Sequence, residues 1–571
     1  MVALLARANP SCAVVTRILH TVGTSDPHQS ILFPPGGGQR RSDSFSSTSL
    51  KDSLQTTSLG WQLEGQIICP SKVHLRPLEK SSSANIFSEA TTLNEKDFTD
   101  VSSNQGQDFS NHIANSIYLI ALQRVHPLPT TSGKSLINET RFKTFTFYRR
   151  LMVILLVTNV VVILCMIARS VRQPGSFSYS QAATAVGANL LAAVLMRQEH
   201  VINLLFHLLC AIPVNTPLAI RRIAAKMAYN NGGIHSGSAI SALLWYMYYT
   251  VLVVQQFEGS NVQSKAVAAI SAAILVIFTI LILVSHPAIR RQYHDIWELS
   301  HRFGGWIAVG LVWAQILTIA TADTHNLGRP LGTALIHLPT FWFLIAITCC
   351  LLYPWLRLKR LAVNATKLSD HATQLHFADR QLPTCRGIRL AHNPLIECHG
   401  FATIPDVSES RADVEKGYSV VISRVGDFTK GMIQTPPKHF WVRGAPTIGV
   451  MRLSSLFRPI VVVATGSGIG PCLSFLNVHP DHPMRVIWSA RSPETTYGKD
   501  IMRNVLRADS NALIIDTKKT GTPNLVALTY AFVQQVHAEA VMIISNPKVT
   551  QEVVYGMESR KIAAFGAIFD S

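Results

Sequence analysis

The stretch VVVATGSGIGPCLSFL, residues 461–476, decides how the carboxyl-terminal half reads. A run of valines leads into Gly466-Ser467-Gly468-Ile469-Gly470-Pro471, and an apolar, helix-like segment follows. Glycines there let the backbone approach a pyrophosphate at a helix amino terminus, where unpaired N–H groups and the helix dipole favour anions. Glycines alone are weak evidence, and Gly-Ile-Gly-Pro differs from the GxGxxG fingerprint. The strand–loop–helix context and the strands that follow carry the nucleotide-binding reading, against the plainer alternative of a tight βα turn.

Working outward, SVVISRV (419–425), PIVVVATG (459–466), MRVIWSA (484–490), ALIIDT (512–517) and AVMIIS (540–545) read as strands, with helical stretches between the last four. That alternation predicts a parallel α/β domain over 456–571, preceded by a small β-domain over 360–455.

Upstream the chain changes character. It has 571 residues, 48% apolar and 15% charged, with a formal charge of +18 and a positive mean hydropathy. This excludes a small module, a disulfide scaffold and a wholly disordered chain, and calls for a search for runs of about twenty apolar residues. Six lie within 150–356, at 151–168, 179–196, 236–254, 266–284, 304–322 and 333–356. Six transmembrane helices is the parsimonious reading, because as many buried soluble helices need an implausibly large dry core. VINLLFHLLCAI (201–212) is too short to cross and reads as an interfacial helix carrying His207, with His200 just before it. Arg149, Arg150, Arg221, Arg222, Lys226, Arg290, Arg291, Arg302, Arg357, Lys359 and Arg360 fall on one side of the spans, and few cations on the other. By the positive-inside rule both termini are cytosolic, and the net charge requires no nucleic acid.

Residues 1–140 are rich in Ser, Thr, Asn, Gln and Gly, as in RSDSFSSTSLKDSLQTTSLG (41–60), and read as a disordered polar tail. The first twenty or so residues are weakly basic and fit a transit peptide better than a secretory signal. The nine cysteines show no CxxC and no metal-finger spacing, so they read as reduced and structural.

Six spans followed by a β-domain and GSGIGP resemble the ferric reductase and NADPH oxidase superfamily of membrane flavocytochromes, whose cytosolic half is similar to ferredoxin–NADP reductase. The resemblance covers about 150–571. It includes GYSVVISRVGDFTKGM (417–432), similar to the family's Gly-Asp-Trp-Thr segment with Phe428 for Trp and Thr429 matching, and FWVRGAP (440–446), similar to its Asp-Gly-Pro loop. IWSARSPETTYG (487–498), Asp516-Thr517, ISNPKVTQEVVYG (544–556) and FGAIFDS (565–571) bring the chain nearest to fungal Tmp-type integral membrane flavoproteins. Some of those carry an adenylate-forming domain, for which 1–140 has no room, so the stand-alone form is expected.

The resemblance implies FAD, NADPH and haem, and here the chain departs from the pattern. The family clamps two haems between the third and fifth helices, one His from each. His235 and His301 match the inner pair, while Tyr249 and Gln315, or Tyr248 and Ala314, stand where the outer pair would be. One haem b at most is expected, with the outer face roughly 20 Å away by helix rise; the alternative is that both histidines are interfacial remnants. The family's His-Pro-Phe-Ser/Thr flavin run becomes His399-Gly400-Phe401-Ala402, with Thr403 a substitute hydroxyl. For NADPH, the glycine loop Gly466–Pro471 is expected at the pyrophosphate and Arg491 with Ser492 at the 2′-phosphate. Ser545 and Asn546 replace the cysteine that usually faces the nicotinamide, and Phe569 is a candidate cover for the flavin. The implied function is an NAD(P)H-dependent oxidoreductase, multi-pass in a plasma membrane or endomembrane. It would pass reducing equivalents from NADPH through FAD to a small-molecule acceptor, in fungal redox signalling or development such as conidiation. A two-haem ferric reductase or superoxide-producing oxidase, and a non-catalytic scaffold or sensor, are the rivals.

Overall fold

The computed structural model describes residues 122–130, 140–173, 177–257, 262–328, 330–406 and 417–567. Most of the expected tail and Phe569 lie outside them. Within 122–130 the expectation of disorder fails: Leu122 is buried in the core beside Leu525 and Val541, and Arg560 donates to the Pro129 carbonyl at 2.6 Å.

Among the described residues eight helices of twelve residues or more frame the first half: α1 Phe147–Arg172, α2 Tyr179–Leu195, α3 Glu199–Cys210, α4 Leu218–Tyr229, α5 Gly232–Gln256, α6 Val262–Val284, α7 His294–Leu327 and α8 Pro339–Leu356. Among the described residues five (α1, α5, α6, α7 up to Ala322, α8) are long and apolar enough to cross a membrane, and α2 with α3, bent by 72° at their junction, makes a sixth if counted as one. Helix α7 starts ten residues before the expected span, so His301 sits within it. Helix α1 turns apolar side chains outward and a polar one inward. Ile154, Val157, Val161 and Leu164 of α1 are exposed, while Asn159 of the same helix is buried, accepting from Asn189 Nδ2 at 3.0 Å and Trp245 Nε1 at 2.9 Å.

The second half is a β-domain followed by an α/β domain. Strands β1 Lys359–Ala362, β2 Asn364–Lys367, β3 Ala372–Phe377, β4 Arg386–Ala391, β5 His399–Ala402, β6 Ile404–Pro405, β7 Tyr418–Ser423 and β8 His439–Ile448 form two four-stranded antiparallel sheets, ordered β1-β8-β4-β5 and β2-β3-β7-β6. Inward residues of both, among them Phe377, Leu390, Val420 and Phe440, share one core. FWVRGAP, expected as a loop, lies inside β8; its alternating Phe440 and Val442 face that core, and strand pairing wins. Helix α9, Asp427–Gln434, follows β7.

In the last domain, β9 Ile460–Thr465, β10 Met484–Ala490, β11 Leu513–Asp516, β12 Ala540–Ile544 and β13 Ala563–Gly566 form one parallel sheet ordered β11-β10-β9-β12-β13. Helices α10 Ile469–Leu476, α11 Lys499–Ala508, α12 Leu525–Val536 and α13 Pro547–Glu558 connect its strands. The four expected strands are present; β13 is the one that pattern reading passed over. The strand order reverses between β9 and β12, which makes the end of β9 a topological switch point.

Helices α3 and α4 tie the two halves together. Phe206 and Cys210 of α3 and Ala225 and Ala228 of α4 belong to the same core as Leu453, Leu456 and Phe565. Arg221, 5% exposed, donates to both oxygens of Glu539 at 2.6 and 2.9 Å, to the Leu456 carbonyl at 2.7 Å and to the Thr216 carbonyl at 2.8 Å. Lys226 pairs with Glu558 at 2.6 Å, and Arg222 donates to the carbonyls of Lys561 and Glu539. Three of the cations that the sequence places beside the spans, Arg221, Arg222 and Lys226, are therefore docking groups for the α/β domain. The expected interfacial helix likewise has one face in that core, leaving Leu204 and Leu208 exposed on the other.

Burial, the largest single influence, would raise the Glu539 carboxyl, but the hydrogen bonds from Arg221 and the Arg458 N–H, with the charges of Arg221 and Arg222, together outweigh it and hold it below its ordinary value of 4.5. A depressed carboxylate stabilises the fold above that ordinary value, and the contribution is lost as the pH falls through the folded-state value. Glu539→Gln should cost about 3 kcal/mol by stranding Arg221. Thermal unfolding should show a lower midpoint at neutral pH, with the difference from wild type shrinking as the pH is lowered toward 4.

Candidate functional site

At the switch point Gly466 has φ +53°, in the left-handed region, and turns the chain from β9 into the helical turn Gly466–Gly468 and then α10. Gly468 is there for closeness, because a Cβ would lie 2.2 Å from the Ile544 carbonyl at the end of β12. Ile469 is buried, while Thr465 to Gly468 and Pro471 are half-buried. Three side-chain bonds fix the turn. Trp488 Nε1 donates to the Gly466 carbonyl at 2.9 Å, Ser467 shares a 2.6 Å hydrogen bond with Ser423 at the end of β7, and Thr465 shares one of the same length with Ser545. Gly470 packs against Val421 of β7. The loop is thus wedged between the sheet and the β-domain.

Beyond β10, Arg491 is exposed and Ser492 has φ +46°, its N–H donating to Asp516 Oδ1 at 2.8 Å. Asp516 also accepts from the Lys518 N–H at 2.9 Å, so the ends of β10 and β11 meet beside the Arg491 side chain.

On the β-domain, His399 and Phe401 are alternate residues of β5 and share a face. The Phe428 ring of α9 lies 4.1 Å from His399, 6.4 Å from Phe401 and 5.0 Å from His392. Thr429 caps that helix, its Oγ1 accepting from the Val425 and Gly426 N–H groups at 2.9 and 3.1 Å. His399 Nε2 is 3.3 Å from Glu397 Oε2. Thr403 does not join them. It is fully buried and its hydroxyl donates to the Arg386 carbonyl at 3.0 Å; β5 ends at Ala402, so the alternation that would set Thr403 beside Phe401 does not continue.

In the helical half a partly open cavity of about 1210 Å³ runs between α5 and α7. His235 and His301 face it with ring centres 6.4 Å apart, and His235 Nδ1 is 2.9 Å from the Ala193 carbonyl. Farther along, Tyr246 donates to Gln315 Oε1 at 3.1 Å and Gln315 Nε2 donates to Ser271 at 2.6 Å, so both ends of the Gln315 amide are engaged. His200 and His207 have separate partners, Tyr353 and Arg386.

One functional contact was invisible in sequence. Arg302, next to His301, pairs with Glu298 and donates to the carbonyls of Leu395 and Ile396 at 2.6 and 3.2 Å, clamping α7 to the loop that leads into β5. In sequence it was one more cation beside a span.

A family described as "Adenylate-forming reductase 03009, C-terminal domain" matches residues 450–571. The chain is 40% identical over 446 residues to Adenylate-forming reductase 03009 of Coprinopsis cinerea and 38% identical over 445 residues to Adenylate-forming reductase 06235 of the same fungus. Each match covers 78% of this chain and 42% of the relative, so the chain spans less than half the length of these relatives. Among solved structures, a flavohemoglobin from Malassezia yamatoensis with bound FAD and heme is similar over 68% of this chain and 98% of its own, at 13% identity and a TM-score of 0.31. Ferredoxin-NADP+ reductase from Plasmodium falciparum with 2′P-AMP is similar over 36% of this chain and 94% of its own, at 11% identity and a TM-score of 0.27. Scores this low carry no argument about the site.

Gly468→Ala should cost about 1–3 kcal/mol by overpacking against β12. Gly400→Ala, whose Cβ meets nothing within 4 Å, should be close to neutral. Chemical denaturation of the two variants beside wild type checks the difference, and equal midpoints would contradict the close-approach account.

Proposed function

We propose that this chain is a membrane flavoprotein oxidoreductase that passes reducing equivalents from cytosolic NADPH through FAD to an acceptor at the membrane, by way of one haem b. The observation that carries this reading is the unbroken series of contacts between three candidate sites. The glycine loop is bonded to the β-domain through Ser467 and Ser423, and the β-domain is bonded to α7 through Arg302, one residue from His301.

Each group is matched by residues that suit it. For NADPH, the half-buried turn Thr465–Gly468 at a switch point presents backbone to a pyrophosphate, and exposed Arg491 provides a cation for a 2′-phosphate. For FAD, the half-buried faces of His399 and Phe401, with Phe428, offer aromatic surface to a flat ring, and α9 begins beside them. For haem, the His235 Nδ1 bond to a carbonyl leaves Nε2 for a metal, the arrangement in which a ligating imidazole is oriented by its other nitrogen. The ring separation is of the size two imidazoles need around one metal at about 2 Å per bond. Bound FAD supplies the change from two-electron to one-electron transfer, and bound haem a one-electron relay. The chain's part is to hold these groups in order and keep water away from the helical end.

The outward apolar and inward polar side chains support a lipid surround, since exposed Ile, Val and Leu with buried Asn and Gln suit an apolar solvent. Docking through Arg221 and Lys226 places the α2–α5 connection on the same side as the α/β domain, in keeping with cytosolic termini. The engaged Gln315 amide speaks against a second haem at the outer position, and so against the usual two-haem ferric reductase or oxidase. Relatives named as reductases of a fungus support a redox role; signalling or development is the setting that the family resemblance alone implies.

Detergent-purified full chain should show flavin absorbance that NADPH bleaches, together with one reduced-haem equivalent. His235→Ala and His301→Ala should each lose the haem bands and keep the flavin. A featureless spectrum would sink this reading, and two haem equivalents would restore the two-haem rival. Arg491→Ala should raise the KM for NADPH about tenfold, the scale of one lost charge-assisted contact, and leave that for NADH unchanged; equal effects on both would remove Arg491 from the 2′-phosphate site.

A further inference from the structure

The β-domain sends two arginines into the helix cavity, Arg389 from β4 and Arg443 from β8. They are direct partners across the two antiparallel strands. Like charges in that position repel, so a pair kept there needs a counter-charge. Glu199, 1% exposed at the start of α3, supplies one, its Oε1 accepting from Arg389 Nη1 at 2.6 Å. Gly444 makes the approach feasible: its φ is +75°, and a Cβ there would fall on Glu199 Oε1.

Arg443 is left over. Its guanidinium lies 5.2 Å from the Trp355 ring centre, its Nε is buried without a partner, and it has no acidic partner among the described residues. Burial lowers its pKa, the sign of a cation held away from water. Glu298, the acid whose charge reaches it, forms its ion pair with Arg302 instead. A half-buried guanidinium whose Nε lacks a partner, lining a cavity, is suited to pair with an anion. The walls beyond it are apolar, formed by Met152, Val186, Leu190, Ile240, Val309 and Leu351.

We infer that Arg443, with Arg389 beside it, seats the carboxylate of an acidic amphiphile whose apolar body lies in the helix cavity. A phosphate or free nucleotide fits poorly, because most of the cavity offers such a molecule no hydrogen bonds. Two sources share the required chemistry, a tetrapyrrole with acidic side chains and a fatty acid. The first rests on the haem reading above; the second does not. In either case the β-domain grips the ligand by its acid end, so that occupancy of the cavity and docking of the β-domain are linked.

The test uses purified full chain freed of bound pigment and titrated with haemin, with haemin dimethyl ester, which keeps the apolar body and lacks the carboxylates, and with oleate. Haemin should bind about tenfold more tightly than the ester, the scale of one charge-assisted hydrogen bond. Arg443→Gln should remove that difference while leaving ester affinity unchanged, and Arg443→Lys should restore part of it. Unchanged ester binding shows that the variant is folded; should the variants not fold, the wild-type ratio decides alone. Equal binding of haemin and ester by wild type would overturn the carboxylate seat and leave the histidine pair standing. Arg443-dependent binding of oleate without binding of haemin would support the seat and defeat the haem reading. No binding of either acid would overturn the inference.

Discussion

The bidentate bond from Arg221 to Glu539 is the contact on which the arrangement of the two halves depends. It joins α4 to the start of β12 across 318 residues of sequence, and the same guanidinium also takes the Leu456 carbonyl, which closes the end of the β-domain. Glu539 in turn accepts from the Arg458 N–H at 2.8 Å, so one carboxylate holds the helices, the domain junction and the sheet together. A pair this deeply placed gives little net stability over an apolar alternative, yet it strands a charge if either member is lost. Its effect is therefore on position: it allows one placement of the α/β domain and penalises others.

That placement gives the remaining contacts their meaning. With the sheet held, Gly468 can close on Ile544 and Ser467 can reach Ser423, which brings the glycine loop against β7. With the β-domain held, Arg302 reaches the Leu395 and Ile396 carbonyls, and Arg389 and Arg443 reach the cavity. Electron transfer falls steeply with distance, so a protein carrying electrons between separate sites needs fixed spacing more than it needs acids or bases. The structure supplies spacing by charge-assisted bonds from Arg221 and Arg302 to backbone carbonyls and by the neutral Ser467–Ser423 bond at the glycine loop.

Much of this was legible in sequence because its causes are local. Valine runs broken by glycine and proline mark β9, β10 and β12 from neighbours a few residues away, and runs of twenty apolar residues mark the long helices. The candidate sites were legible to the same depth. Gly466–Pro471 lies where a strand–loop–helix pattern puts it, and His399 and Phe401 share a face because strands alternate. Thr403 misled, since β5 ends at Ala402 and the alternation that would set it beside Phe401 stops there, leaving its hydroxyl on the Arg386 carbonyl. β13 was missed because AAFG is too short to show a period, and it forms only because β12 offers it an edge.

The sequence by itself determined the apolar helices, the strand pattern and the glycine turn, since periodicity and chain stiffness act over a few residues, whereas the pairing of His235 with His301 came only from the family resemblance and their facing from the fold. Only the tertiary structure decided which charges are anchors and which are docking groups. Arg221, Arg302, Arg389 and Arg443 look alike in sequence, and nothing near them distinguishes an arginine beside lipid from one aimed at Glu539, a loop carbonyl or a cavity. The partner lies tens to hundreds of residues away, and a charge acquires its role from the partner and from how much water is left between them.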